Sequence, residues 1–331
     1  MKGLPGKKLY CEKKKPPKIN FPIYHFHQAD YRMTSLRPSN ENKRFIRKYP
    51  IGTFIVLTFF ITHVLNPIIV EGLHILFPGF SFSFPIAQLN HASLIAQYGP
   101  TLAAIFLVVK LYGFKGLRST LRFSRLNGDQ MVWLMVSVLL PLAMIVLSYS
   151  FAGVSLGVLY NTLSDNWQLY LLTIGGFIIS AGLAEEYGWR GFLLPQLLRT
   201  LSPLKATILL FLILSLWHFP ALLSGWKNEP LWPWLILSFS LAIIHAWLFF
   251  RSAGNLLVVI LFHACFDAQY AFFSRFISGE TLQNKPFHQG WSYVLSYAFL
   301  ALLLIVITKG NLGYNRTKFD IDDYFGSRLE I

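Results

Sequence analysis

Charge is scarce in this sequence. Asp and Glu number 15 among 331 residues, Lys and Arg number 29, and charged residues make up 13% of the chain. A soluble domain carries about a quarter. Against 54% hydrophobic and 16% aromatic residues, so few charges cannot wet the surface of the one or two soluble domains this length would otherwise allow. Cysteine is nearly absent too. Cys11 lies in a basic stretch and Cys265 in an apolar one, which excludes a disulfide framework, and neither has the spacing of a zinc ligand. A His-Glu-x-x-His helix is missing, and no Ser or Cys is placed with a base as in a nucleophile elbow.

What charge there is lies unevenly. Residues 1–50 hold thirteen of the 29 basic side chains against Glu12, Asp30 and Glu41. A basic block ahead of the first apolar run reads as a partly disordered cytoplasmic tail that meets anionic lipid of the bilayer. No recognition motif accompanies the lysines, so nucleic acid is not expected as a partner. A cleaved signal peptide is not expected either, because its basic region would be far too long and no small-x-small site follows.

At about 20 apolar residues per span, about eight transmembrane helices are predicted: 51–70, 91–111, 131–150, 169–194, 205–223, 231–250, 254–273 and 291–308. The fold class is therefore an all-α polytopic membrane bundle. A tail of 1–50, a membrane domain of 51–310 and a short polar, flexible cytoplasmic tail of 311–331 divide the chain. Gly99-Pro100 predicts a kink inside the second span. Loop charge alternates: Lys110, Lys115, Arg118, Arg122, Arg125, Arg199, Lys205, Arg251 and Lys309 mark one side, whereas 71–90 and 151–168 contain no Lys or Arg. Both termini are expected in the cytoplasm.

Inside these spans a few ionisable residues require a reason, since each costs roughly 2.5–3.5 kcal/mol on insertion scales. They are Glu185, Glu186, Arg190, His218, His245, His263 and Asp267. Glu185 lies 14 residues from Arg199, His218 lies 13 from Lys205, and His263 lies 9 from Gly254. At 1.5 Å per residue these fall within about two turns of one level. Glu186 and Arg190 are four apart and suit an intrahelical ion pair, which makes them structural support. Glu185 points elsewhere and reads as the reactive group. His263 and Asp267 share a face by the same spacing. His245 reads as a satisfied core residue, and Trp217 as a packing or lipid-facing group.

A carboxylate and a neutral imidazole facing a small wet cavity can take a proton from a shared water, and the resulting hydroxide can attack a peptide carbonyl. His263 could donate to the oxyanion from the opposite helix. A divalent metal such as zinc, held by Glu185, His218 and His263 with Asp267 as an additional candidate ligand, is the competing account. The residues leave the two open.

Glu185-Glu186-x-x-x-Arg190, then Leu-Trp-His218-Phe-Pro, then His263-x-x-x-Asp267, resemble the three motifs of the CPBP family. That family comprises type II CAAX prenyl endopeptidases and the bacterial Abi proteins. Gly191-Phe-Leu-Leu-Pro195 and Tyr98-Gly-Pro100 extend the similarity over about residues 97–270. The resemblance implies an eight-helix intramembrane endopeptidase. It makes Glu185 the catalytic glutamate and His218 the histidine sharing its water. Arg190 becomes the brace of Glu186, and His263 the oxyanion-binding histidine. Two positions depart from the pattern: Leu214 stands where Phe is frequent, and Asp267 where Asn is common. An ionised Asp267 would repel an oxyanion, so it is expected to orient His263, with protonation or metal binding as the other options. The implied partners are a peptide or prenylated-protein substrate and the bilayer, in a bacterial plasma membrane. A non-proteolytic immunity or scaffold protein of the same fold is the alternative, bacteriocin self-immunity among its roles. A proton-coupled transporter would need two similar halves, and none is visible.

Overall fold

The computed structural model describes residues 40–77, 79, 83–84, 89–90, 95–121, 128–224, 230–277 and 289–326. The basic stretch 1–39 and the loop residues Arg122, Arg125, Lys227 and Lys285 lie outside the described residues. The elements are α1 (Asn40–Lys48), α2 (Pro50–Leu76), strands β1 (Ser83–Phe84) and β2 (Leu89–Asn90), α3 (Gly99–Thr120), α4 (Gly128–Phe151), α5 (Leu156–Asp165) and α6 (Trp167–Leu197). They continue with α7 (Pro203–Leu223), α8 (Leu231–Arg251), α9 (Leu256–Phe276), α10 (Gln289–Ile307) and α11 (Ile321–Tyr324). The two strands form one short antiparallel ladder. Among the described residues, everything else with regular structure is helical.

Seven helices, α2, α3, α4, α6, α7, α8 and α9, are long and apolar enough to cross a membrane. The eighth expected span is shorter, an apolar stretch of Trp291–Ile307 within α10. The distribution of polarity is that of a bilayer protein. Leu216, Leu223, Val306 and Ile307 are exposed, while Glu186, Arg190 and His245 are buried. Only lipid makes that exchange favourable. The chain is a polytopic helical membrane bundle, as expected.

Helix starts follow local chemistry. Pro50, Pro100 and Pro203 occupy the first turns of α2, α3 and α7, where a missing N–H costs nothing. Asn255 caps α9 by accepting from the Leu257 amide at 3.0 Å. α9 is the central helix, with 67% of its apolar window buried, and α8 follows with 56%. α9 packs along α4 and α6, and α8 along α10 and α7.

Two expectations fail here, the start of the second span and the looseness of the last segment. The second span runs from Gly99 rather than 91, one helical turn at 95–97 precedes it across a break at Tyr98, and a further break in α3 falls at Gly113 (φ 69°, ψ −173°). The loop 151–168 contains α5, whose start Ser155 caps. The stretch after α10 is not loose: Leu312, Phe319 and Phe325 are buried, Tyr112 stacks on Phe325, and Arg199 pairs with Asp322 at 2.9 Å. Apolar side chains hidden at i, i+7 and i+13 of a polar segment carry no helical or strand period, so composition alone reads as flexible.

Candidate active site

The site is built on α6. This helix is not α-helical throughout: wider π turns occupy Ile178–Gly182 and Tyr187–Leu193, a feature frequent at functional sites. Neighbours on a regular helix diverge by about 100°, yet Glu185 and Glu186 are both buried, at 6% and 0% exposure. Two glycines let other helices close on this stretch. A Cβ on Gly182 would stand 2.8 Å from the Ile260 carbonyl oxygen of α9, and one on Gly188 would stand 2.5 Å from the Pro100 carbonyl carbon and side chain of α3. Thr101 adds a hydrogen bond to the Leu183 carbonyl at 3.0 Å.

Arg190 Nη1 donates to Glu186 Oε1 at 2.8 Å, both side chains being buried. His263 Nδ1 on α9 lies 2.7 Å from the same oxygen. An oxygen that already accepts from a guanidinium is an acceptor, so His263 donates at Nδ1. The other ring nitrogen, Nε2, faces Asp267 Oδ2 at 3.5 Å. Both nitrogens of His263 thus meet a carboxylate. Glu186 is a clamp, engaged twice at one oxygen, rather than a free base.

Glu185 sits beside this clamp. Trp189 Nε1 donates to its Oε2 at 3.3 Å. Trp189 in turn meets the edge of Trp217 on α7 (5.6 Å between centroids), and Trp217 lies against the neighbouring His218 (4.6 Å). His218 is partly buried, with Trp234 of α8 on its far side at 5.7 Å. Trp217 is therefore no lipid-facing group. Its indole donates to Thr62 Oγ1 at 3.0 Å, and its carbonyl accepts from His63 Nε2 at 3.1 Å. The first membrane helix fixes the residue next to His218, a connection that motif spacing gives no sign of.

His245 corrects a second expectation. Its Nε2 lies 3.8 Å from Glu186 Oε1 and its ring meets His263 edge-on at 5.3 Å. It belongs to the same cluster. Nothing at the sequence level distinguishes it from a core histidine, because its partners arrive from α6 and α9.

Among the described residues, the three-donor group within metal-ligand reach is Glu186, His245 and His263, whose atoms lie within 4.8 Å of one another. It differs from the anticipated set of Glu185, His218 and His263. This group does not fit a cation, since Arg190 shares the carboxylate oxygen and would stand beside the ion.

Gly153-Val-Ser155-Leu-Gly157 has the letters of a nucleophile elbow. An elbow needs a strand before the serine. Here α4 precedes it, and Ser155 Oγ is exposed and caps α5.

Residues 166–269 match the profile of a family described as type II CAAX prenyl endopeptidase Rce1-like. A segment is also similar to CAAX prenyl protease 2 of Methanococcus maripaludis, 30% identical over 95 residues. That alignment takes in 26% of this chain and 35% of the relative, so the chain spans about a third of the length of the relative it matches. Both matches bear out the resemblance carried by the three motifs.

Proposed function

We propose, from the premise that the segment 166–269 belongs to the type II CAAX prenyl endopeptidase Rce1-like family, that this chain is an intramembrane endopeptidase. Glu185 and His218 share and deprotonate the attacking water, and a C-terminal peptide, prenylated as the relative's name implies for that protein, is the substrate. The observation that carries the reading is the contact between motifs. Glu186, Arg190 and His263 meet on two helices in a buried cluster, with Glu185 adjacent in the chain and itself withdrawn from lipid.

The division of labour follows from hydrogen-bond capacity. Glu186 Oε1 is saturated by Arg190 and His263, so its role is to set the orientation of His263. Glu185 receives an indole N–H at one oxygen, which positions it and leaves acceptor capacity for water. Burial withdraws the carboxylate from bulk solvent, and a base there acts on a held water without competition from bulk water. The attacking oxygen adds to the carbonyl carbon, and the charge moves to the carbonyl oxygen. His263 is hydrogen-bonded to Glu186 at Nδ1 and faces Asp267 with Nε2, and Nε2 is the donor to that oxygen. The oxyanion then re-forms the carbonyl as the C–N bond breaks, and the proton held by Glu185 passes to the departing nitrogen, leaving a carboxylate and an amine. Asp267 accepts at Nε2 of His263 until substrate replaces it.

Loop charge supports an orientation with Arg199, Lys205, Arg251 and Lys309 on the cytoplasmic side of the membrane. These turns lie at one end of the bundle, where the segment 311–326 joins them: Gly313 lies against Arg251, Gly310 against Leu204, and Asp322 pairs with Arg199.

The test is cleavage of prenylated and unprenylated reporter peptides by the full chain in liposomes, with and without chelator. Glu185→Gln and His218→Ala are each expected to abolish turnover, on the order of 10²–10⁴-fold, while the protein still purifies as a folded bundle. Turnover that persists in both variants ends the reading. Cellular function that survives Glu185→Gln would favour the non-proteolytic immunity or scaffold role.

A further inference from the structure

We infer that His245 is a positioning residue of this centre, holding Glu186 through one internal water that it shares with Arg190. The inference rests on the endopeptidase reading for its kinetic consequence but not for the water itself. Three buried side-chain atoms of the cluster have no hydrogen-bond partner within the protein: Glu186 Oε2, Arg190 Nε and His245 Nε2. Such atoms are rare in folded proteins, and a polar pocket holding them takes up water.

Their chemistry is complementary to a single molecule. His245 Nδ1 lies 2.8 Å from the Leu241 carbonyl oxygen, which can only accept. The proton is therefore on Nδ1, and in the neutral ring Nε2 offers a lone pair. Arg190 Nε–H offers one donor and Glu186 Oε2 one acceptor. A water accepts from Arg190 and donates one hydrogen each to Glu186 and His245. His245 Nε2 lies 3.8 Å from Glu186 Oε1, beyond a direct hydrogen bond, so that oxygen does not satisfy the ring nitrogen although the two side chains are neighbours. The ring cannot turn away, because Phe262 meets its face edge-on at 4.7 Å and His263 at 5.3 Å. Glu186 is then held at Oε1 by Arg190 and His263, and at Oε2 by water. With Oε2 fixed, the carboxylate cannot rotate, and the Nδ1–H donor direction of His263 is set.

The experiment uses the full chain in nanodiscs with ¹⁵N-labelled histidine, assigned by the signals lost in His245→Gln. Near neutral pH the His245 Nδ1 resonance is expected in the protonated range, and Nε2 in the range of an unprotonated nitrogen that accepts a hydrogen bond. A ring protonated at both nitrogens, paired directly with Glu186, overturns the bridge. In parallel, His245→Phe fills the volume without an acceptor and is expected to lower kcat about ten- to a hundredfold with KM unchanged. His245→Gln restores an acceptor and is expected to recover most of that loss. Wild-type kcat in His245→Phe overturns the positioning role. Failure of the wild-type chain to cleave any reporter would sink the endopeptidase reading alone, since the nitrogen resonances still decide the water.

Discussion

His263 Nδ1 and Glu186 Oε1 lie 2.7 Å apart although 77 residues separate them in the chain. The contact locks α9 to α6 at a buried ion pair. Removing charge from that pair is costly, because a buried guanidinium is left without its counter-ion. Glu186→Gln is expected to destabilise the protein by about 3–5 kcal/mol. A double variant that also replaces Arg190 with Met should lose less than the sum of the two single changes. Thermal unfolding in detergent measures the cycle, and strict additivity would show that the two side chains do not depend on each other.

Asp267 Oδ2 lies 3.5 Å from His263 Nε2, at the outer limit of a hydrogen bond. An amide at this position keeps an acceptor and adds a donor. Asp267→Asn is therefore expected to keep turnover within about threefold of wild type, whereas Asp267→Leu, which offers neither, should lose about tenfold or more. Initial rates on a reporter peptide decide it; equal loss in both variants would assign the charge itself a role.

Gly188 has no room for a methyl group, since its Cβ would fall 2.5 Å from the Pro100 backbone and ring. Backbone cannot yield as a flexible side chain does. Gly188→Ala is expected to destabilise by about 1–3 kcal/mol and to displace the turn that carries Glu186 and Arg190. Reduced thermal stability together with reduced turnover is the expected pair of results. Unchanged stability would show that α3 and α6 can separate at no cost.

Outside the membrane, burial of the Tyr324 hydroxyl pushes its pKa well above the ordinary tyrosine value. The sign follows directly. The docked segment disfavours tyrosinate, so this contribution to docking is whole below the unfolded pKa of about 10 and is lost as pH rises through the raised value. Protease nicking of residues 311–326 should accelerate above about pH 10, and Tyr324→Phe should remove Tyr324's share of that acceleration. At neutral pH the same variant should be neutral or slightly stabilising, because it deletes a buried hydroxyl without a partner within the protein. A large loss at neutral pH would mean that the hydroxyl is satisfied.

Much of this protein is written in one dimension. Apolar runs of about twenty residues can only be membrane helices, so the bundle follows from hydropathy. The i,i+4 pairing of Glu186 with Arg190 and of His263 with Asp267 follows from helical repeat. What composition could not reach was everything that depends on two segments meeting. His245 has the same apolar neighbours as any core histidine, and only the approach of α8 to α6 and α9 makes it part of the cluster. Trp217 has an anchor on α2. The segment 311–326 acquires its order from Leu312, Phe319 and Phe325, which are buried, with Phe319 against Phe249 and Phe325 against Tyr112. Glu185 and Glu186 are likewise both buried because other helices enclose this stretch of α6 on every face, which the helical period of a single segment does not reveal. Local covalent repeat sets which residues share a face; packing between distant segments sets which faces meet, and the chemistry of this site resides in the meeting.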